Sequence, residues 1–142
     1  MNCIVLGATK GMGRAVSRAL VARGDRLCLL GRNQEDLNRT AQDLHVRGEL
    51  TSMPEALLCD LGDPDTFSTV LDAAVTALGD VDLVVVTAAV FATQDELDQD
   101  HELARRLMQI NFVNTIEFCE HASQRLLSNG GGTLCVFSSV AG

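Results

Sequence analysis

The chain has 142 residues, which is the size of one domain with room for a buried core. Apolar residues make up 46% and charged residues 21%, an ordinary globular balance that argues against disorder. The net charge of -8 and the absence of Tyr and Trp argue against a general nucleic-acid binder, because such proteins need basic and base-stacking surfaces.

The first part of the chain alternates short apolar runs with a helix-patterned stretch. Residues 3–6 form an aliphatic run that predicts the first strand. Residues 12–23 carry alanines at helical spacing, and Gly24 follows them as a stop signal, so we predict the first helix there. Residues 27–30 are the next apolar run and predict the second strand.

The middle of the chain continues this alternation. Asn33 is a suitable N-cap for a second helix, because its side chain can accept a backbone hydrogen bond. Residues 56–59 predict the third strand. Asp63 followed by Pro64 is typical of a helix start, with the cap first and proline in the first turn, and we expect that helix to end at Gly79.

The last part of the chain supplies two more strands. Residues 82–86 predict the fourth strand, and the aliphatic run at residues 83–86 is typical of a strand that is covered on both faces. A polar segment at residues 93–95 follows, and a long helix is predicted from about residue 102 to 127. The glycine-rich residues 129–132 indicate a tight turn into a fifth strand at residues 133–137.

This regular alternation of strands and helices predicts the α/β class, with a parallel doubly wound sheet. We expect a Rossmann-like domain whose first five strands have the order 3-2-1-4-5. Residues 1–142 contain no linker or repeat, so we treat them as one domain.

The junction between the first strand and the first helix carries three glycines with the spacing G-x-x-x-G-x-G. Glycines at such a junction allow a tight turn and let a pyrophosphate approach the backbone at the positive end of the helix. A purely structural turn is the alternative. We expect this loop to bind a nucleotide cofactor through Gly7, Thr9, Lys10, Gly11, Met12 and Gly13.

With this loop in this position, the chain resembles the N-terminal part of a short-chain dehydrogenase/reductase. Leu6 stands where that family usually has Thr, which is a modest departure. The resemblance implies hydride transfer between a nicotinamide cofactor and a small-molecule carbonyl or alcohol substrate. It also implies a homo-oligomer for the full-length protein.

The end of the second predicted strand indicates which cofactor is preferred. An acidic residue there would bind the ribose hydroxyls of NAD, but this chain has Gly31 followed by Arg32. A guanidinium group suits a 2′-phosphate, and Lys10 offers a second positive charge. We therefore expect NADP(H) to be preferred over NAD(H). Two solvated surface cations are the alternative interpretation.

Further cofactor contacts follow from the resemblance. Asp60 and Leu61 come directly after the third strand, where the family contacts adenine, although an ordinary turn aspartate is the alternative for Asp60. Ala88 and Ala89 follow the fourth strand and are expected on the nicotinamide-ribose side. Of the family's Asn-Asn-Ala-Gly, only Ala89 matches, which indicates a divergent member.

Two residues resemble part of the family's catalytic site. Asn111 corresponds to an asparagine that supports proton relay, although a locally bonded helix asparagine is the alternative. Ser139, with Ser138 as its neighbour, begins a Ser-Val-Ala-Gly turn that resembles the catalytic serine turn, and it would hydrogen-bond a substrate carbonyl. The family's proton donor is the tyrosine of Tyr-x-x-x-Lys, and these 142 residues contain no tyrosine.

Two functional hypotheses therefore remain. The favoured one is a truncated N-terminal part of an NADPH-dependent oxidoreductase, ending after strand five and expected to be inactive by itself. The alternative is a non-catalytic NADP(H)-binding module, or a degenerate regulatory protein. Tyr-x-x-x-Lys in a continuation would favour the enzyme.

The cysteines and the hydropathy pattern suggest a location. The five cysteines lie mostly in strand-like runs without CxxC spacing, so we expect reduced thiols in a cytoplasmic protein and no metal site. No apolar run has transmembrane length, so no membrane span is expected.

Overall fold

The computed structural model describes residues 1–139. Within them, five parallel strands form one sheet in the order β3-β2-β1-β4-β5. The strands are β1 Asn2–Leu6, β2 Arg26–Gly31, β3 Glu55–Leu58, β4 Leu83–Val86 and β5 Thr133–Val136. The predicted Rossmann-like α/β fold and its strand order are confirmed.

Six α-helices accompany the sheet in the described part of the chain. They are α1 Gly11–Ala22, α2 Gln34–Arg47, α3 Phe67–Leu78, α4 Gln94–Gln99, α5 His101–Met108 and α6 Thr115–Ser128. None of the helices within residues 1–139 combines the length and the apolar character needed to cross a membrane.

The central strand β1 is buried on both faces and separates two hydrophobic cores. Ile4 and Leu6 belong to the core that includes residues of α3 and α6, whereas Cys3 and Val5 belong to the core that includes residues of α1 and α2. This division follows from the two-residue period of a strand. It explains why β1 is a continuous apolar run rather than an alternating one.

One predicted helix start is observed, and one segment that was predicted only as polar forms a helix. Asp63 and Pro64 occupy the N-cap and the first position of a 3₁₀ turn, Pro64–Thr66, which leads into α3, although the Asp63 side chain makes no capping hydrogen bond. The polar segment at residues 93–95 begins the additional helix α4. There Thr93 and Glu96 form a reciprocal capping box, which satisfies two backbone donors.

The predicted long helix is interrupted in its middle. α5 and α6 are joined by a π-helix, Gln109–Asn114, whose turns are wider than those of an α-helix. The Thr115 hydroxyl donates to the Ile110 carbonyl at 3.0 Å and thereby helps to satisfy a backbone acceptor of this segment. The wider turn redirects the side chains of residues 109–114 relative to a regular helix.

The strand register brings the candidate loops to one edge of the sheet. Leu6 lies opposite Leu30 on one side and opposite Val86 on the other, and Gly31 lies opposite Leu58. The segments that follow β1, β2, β3 and β4 therefore leave the sheet side by side. Ligands of open α/β sheets bind at this carboxyl edge, where the strand order reverses between β1 and β4.

The opposite edge of the sheet holds a buried carboxylate with two half-exposed cationic partners. Asp25 is 4% exposed and accepts hydrogen bonds from Arg23 Nε at 2.6 Å and from the Met1 ammonium at 3.0 Å. Burial opposes ionisation of this carboxyl, but these two donors outweigh the effect and lower its pKa.

We expect Asp25→Asn to lower the free energy of unfolding by about 2 kcal/mol at pH 7, because hydrogen bonds between charged groups are lost. Since the folded-state pKa is lowered, the contribution of Asp25 is present above its unfolded-state pKa of about 3.9 and is lost as the pH falls through the folded-state value. Urea denaturation at pH 7 and at successively lower pH values should show the variant converging on the wild type. A difference that does not depend on pH would contradict this assignment.

Candidate cofactor site

A cavity of about 300 Å³ opens at the carboxyl edge of the sheet. All eleven residues predicted to bind the cofactor line it: Gly7, Thr9, Lys10, Gly11, Met12, Gly13, Arg32, Asp60, Leu61, Ala88 and Ala89. They come from the segments that follow four different strands. The fold therefore brings together residues that are up to 82 positions apart in the sequence.

The glycine loop is packed too closely for other residues. A Cβ on Gly13 would lie 2.1 Å from the Gly7 carbonyl oxygen, and a Cβ on Gly7 would lie 2.6 Å from the Ala88 nitrogen. Gly7 also has φ +90°, a conformation that glycine adopts without strain. Two of the three glycines are thus required by close backbone approach, so the loop has a structural role whatever it binds.

The third glycine and the start of α1 provide room for an anion. Gly11 has φ +48° and nothing within 4 Å of its Cβ position, so the cradle is open there. The first hydrogen bond of α1 runs from the Arg14 N–H to the Lys10 carbonyl. The backbone N–H groups of the residues just before Arg14 come ahead of this first helical hydrogen bond, as is usual at a helix N-terminus. Lys10 provides no side-chain cap, and the first turn of α1 contains no acidic residue. These features fit a pyrophosphate at a helix N-terminus.

Two cations also line the cavity. Lys10 Nζ is 3.7 Å from Asp36 Oδ2 and its side chain is 81% exposed. Arg32 is exposed and makes no salt bridge with any residue in the range 1–139. A Cβ on Gly31 would lie 3.3 Å from Leu37 Cδ2, so a larger side chain at that position would press against the α2 packing. Positive charge therefore stands where an acid would select NAD.

Asp60 makes a turn hydrogen bond and also lines the cavity. One of its carboxylate oxygens accepts the Gly62 N–H at 2.8 Å, which is the ordinary turn interaction considered for it. Its side chain is nevertheless exposed and lines the cavity next to the buried Leu61. A carboxylate has two oxygens, so Asp60 retains acceptor capacity toward a ligand.

The side chain of Asn111 is bonded to the wall of the cavity. Its Oδ1 accepts the Val90 N–H and its Nδ2 donates to the Val90 carbonyl, both at 2.7 Å. Both ends of the amide therefore hold the segment after β4, which gives the side chain a structural role, and the relay role stays a prediction. Asn111 reaches Val90 from the π-helix across 21 residues of sequence.

We expect Asn111→Asp to loosen this wall. The carboxylate can still accept the Val90 N–H, but it repels the Val90 carbonyl, so the free energy of unfolding should fall by about 1–3 kcal/mol. Hydrogen exchange at the backbone amides of the segment after β4 should accelerate by more than the protein-wide average. Asn38→Asp on the exposed face of α2 is the matched control, and equal acceleration in both variants would contradict the prediction.

Ser138 and Ser139 follow β5 at the same edge of the sheet and are exposed. The Phe137 N–H donates to the Val86 carbonyl at 2.9 Å, so this segment leaves the sheet beside the one that follows β4. The remainder of the predicted serine turn, residues 140–142, lies outside the described residues.

Besides the eleven residues, six others line the cavity: Leu6, Gly31, Cys59, Thr87, Val90 and Ile110. Thr87 donates its hydroxyl toward the carbonyls of Leu6 and Gly7, at 3.1 and 3.3 Å, and so ties the glycine loop to the end of β4. The position of Thr87 directly after β4 was a usable signal, because polar residues at that edge lie near the ligand.

Comparison with known proteins gives the family. The model of the family described as short chain dehydrogenase matches residues 2–142. The chain belongs to the short-chain dehydrogenase family. Among curated relatives, dehydrogenase/reductase SDR family member 7B of Xenopus tropicalis is 26% identical over 98% of this chain and 46% of its own length. Carbonyl reductase family member 4 of Danio rerio is 28% identical over 96% of this chain and 56% of its own.

Solved structures agree with the fold. A short-chain type dehydrogenase/reductase from Mycobacterium ulcerans superposes with a TM-score of 0.88 at 27% identity, covering 99% of this chain and 51% of its own. An NAD⁺-bound xylitol dehydrogenase also has a TM-score of 0.88, but at 22% identity it shows the fold alone. The chain thus spans about half the length of the relatives it matches.

Proposed function

We propose that this chain is the cofactor-binding part of an NADPH-dependent oxidoreductase that interconverts a small-molecule carbonyl and an alcohol. The observation that carries the proposal is the single cavity that gathers all eleven predicted cofactor residues at the reversal point of the sheet. The names of the relatives, which include a carbonyl reductase, support the reaction class.

Each part of the cavity suits one part of the cofactor. The amides of Gly11, Met12 and Gly13 at the start of α1 would hold the pyrophosphate. Asp60 and Leu61 would hold the adenine ring. The backbone after β4, at Ala88 and Ala89, would line the nicotinamide-ribose side.

The preference for NADPH over NADH rests on charge. A 2′-phosphate carries negative charge and several acceptor oxygens, and Arg32 offers a guanidinium that is not engaged by any described carboxylate. Lys10 adds a second cation, although Asp36 partly offsets it. Because a protein of the same fold is NAD⁺-bound, the fold does not make this choice, and these side chains must make it.

The catalytic assignment is part of the same proposal. When bound, a nicotinamide ring supplies or accepts hydride. Ser139 would donate a hydrogen bond to the substrate carbonyl oxygen and so stabilise the negative charge that develops there. Asn111 would keep the Val90 segment in place beside the ring and take part in proton relay. A tyrosine outside these 142 residues would donate the proton.

The absence of tyrosine from the chain favours a second candidate function. If no other segment supplies the proton donor, the chain is a non-catalytic NADP(H)-binding module. We expect the 142 residues alone to bind NADPH without turning over a carbonyl substrate.

Association and location are also proposed. Met108, Phe112 and Ile116 are 60%, 59% and 48% exposed and lie four residues apart along the long helical segment, which supports a homo-oligomer of the full-length protein. The five cysteines are free thiols, which supports a reducing, cytoplasmic setting.

The test is a calorimetric titration with NADPH and NADH, followed by a screen of aldehydes and ketones at saturating NADPH. Tighter binding of NADPH supports the cofactor assignment, and equal affinities overturn the preference. Failure to bind either cofactor overturns the proposed function as a whole. Turnover by the 142 residues alone would refute the assignment of the proton donor to a tyrosine outside them.

A further inference from the structure

The π-helix Gln109–Asn114 carries a second asparagine, and this one reaches a different wall of the cavity. Asn114 is 3% exposed, and its Nδ2 donates to the Leu61 carbonyl at 2.5 Å. Leu61 is 53 residues away in the sequence and lines the adenine side of the proposed cofactor site. Asn111 holds the segment after β4, so one short π-helix is bonded to two opposite walls.

The orientation of the Asn114 amide is set by a third residue. Gln109 Nε2 donates to Asn114 Oδ1 at 2.8 Å, which leaves the Asn114 amino group facing the Leu61 carbonyl. Both polar atoms of Asn114 are therefore satisfied in a buried position. Breaking a hydrogen bond of a buried amide costs more free energy than breaking one at the surface, because water does not replace it. A buried amide with both polar atoms bonded therefore fixes the position of its partner.

The segment that Asn114 holds is short, and apart from the packing of the buried Leu61 side chain in the core it is shaped by hydrogen bonds of its own turn. Asp60 Oδ1 accepts the Gly62 N–H at 2.8 Å, and the Asp60 carbonyl accepts the Asp63 N–H at 3.0 Å. These bonds shape the turn internally but do not anchor it to another element. The Asn114 bond to Leu61 anchors the turn to the helical segment 101–128.

We propose that Asn114 is a positioning residue for the adenine end of the cofactor site. By holding the Leu61 carbonyl, it keeps the Asp60 carboxylate and the Leu61 amide where they meet the edge of the base. The inference rests on the proposed function. In this arrangement Asp60 accepts a hydrogen bond from the 6-amino group of the base, and the Leu61 N–H donates to the adjacent ring nitrogen. Asn114 thereby supports the selection of an aminopurine without touching the base.

The chemistry of the base supplies a sharp probe. Replacing adenine by hypoxanthine, as in reduced nicotinamide hypoxanthine dinucleotide phosphate, turns the amino donor into a carbonyl acceptor and the ring acceptor into an N–H donor. Both contacts are then mismatched while the phosphates, riboses and nicotinamide are unchanged. We expect the wild-type protein to bind NADPH at least about tenfold more tightly than this analogue.

The test measures the ratio of the affinity for NADPH to the affinity for the hypoxanthine analogue in two variants. Asn114→Asp keeps the shape and the acceptor for Gln109 but cannot donate to the Leu61 carbonyl, and Asn114→Ala removes both bonds. Each should weaken NADPH binding by about three- to tenfold while leaving the affinity for the hypoxanthine analogue nearly unchanged, so the ratio approaches one. Gln109→Ala leaves Asn114 in place and should lower this affinity ratio less than the Asn114 variants do. It replaces them in the test if they fold poorly.

A loss of stability alone would give a different pattern. Ala122→Gly on the same helical segment removes a buried methyl group away from the cavity and is the matched control. It should lower the melting temperature while keeping the adenine preference.

If the Asn114 variants bind NADPH and the hypoxanthine analogue with the same affinity ratio as the wild type, the positioning role is overturned. A wild-type protein without adenine preference would overturn it as well. Failure of the wild type to bind either dinucleotide would instead overturn the proposed function on which the inference rests.

Discussion

Gly13→Ala is expected to lower NADPH affinity by on the order of 100-fold, equivalent to about 3 kcal/mol. The added Cβ would lie 2.1 Å from the Gly7 carbonyl oxygen and 2.5 Å from Thr87 Oγ1, neither of which is the flexible end of a long side chain. The turn must open to relieve the contact, and the amides at the start of α1 then move away from the pyrophosphate. Calorimetric titration of NADPH into the variant measures the loss.

A second glycine provides the control for this variant. Gly132 lies at the opposite end of the sheet, where a Cβ would meet the Asp82 carbonyl oxygen at 2.7 Å and Leu126 Cδ2 at 2.5 Å. Gly132→Ala should cost about 1–3 kcal/mol of stability, as overpacking usually does, and keep the affinity for NADPH. If both variants lose affinity in proportion to their stability, the glycine loop has no specific role in binding.

Arg32→Asp is expected to reverse the cofactor preference. It replaces the cation proposed to bind the 2′-phosphate by an acid, which repels the phosphate and can accept hydrogen bonds from ribose hydroxyls. Charge-assisted hydrogen bonds contribute about 1.5–3 kcal/mol, so NADPH affinity should fall about 10- to 100-fold while NADH affinity holds or rises. Binding of both cofactors to wild type and variant measures the ratio.

The matched control uses an arginine close by on α2. Arg39 is exposed and pairs with Glu35 four residues earlier, so Arg39→Ala changes the net charge without removing a cation from the cavity. It should leave the NADPH-to-NADH ratio unchanged within about twofold, because exposed charges are screened. An unchanged ratio in Arg32→Asp would show that the 2′-phosphate is bound elsewhere or that the cofactor is not selected by charge.

The cofactor loops could be located from the sequence because their signals are local. Three glycines between a strand and a helix, a cation directly after the second strand and an acid directly after the third are each visible within a few residues. Parallel strands then place these segments at one edge of the sheet, since their carboxyl ends coincide. As a consequence, all eleven residues predicted to bind the cofactor line one cavity.

The partners of the two asparagines could not be found in this way. Asn111 contacts Val90 across 21 residues, and Asn114 contacts Leu61 across 53 residues. Both contacts depend on the π-helix, because its wider turn aims side chains in directions that a regular helical period does not predict. The amphipathic pattern of residues 102–127 indicated only a continuous helix.

The alternation of strands and helices, the two-sided burial of the sheet and the position of the glycine loop could all be predicted from the sequence. Each of these follows from apolar runs, helical periodicity and glycine spacing, which act over short stretches of chain. The tertiary structure alone shows that the Asp63 side chain makes no capping hydrogen bond, that Thr87 ties the glycine loop to β4, and that Asn111 and Asn114 hold the walls of the cavity. These contacts depend on which polar atoms come within hydrogen-bond distance of one another. The packing of the whole fold determines this, and the residues next to them in the sequence do not.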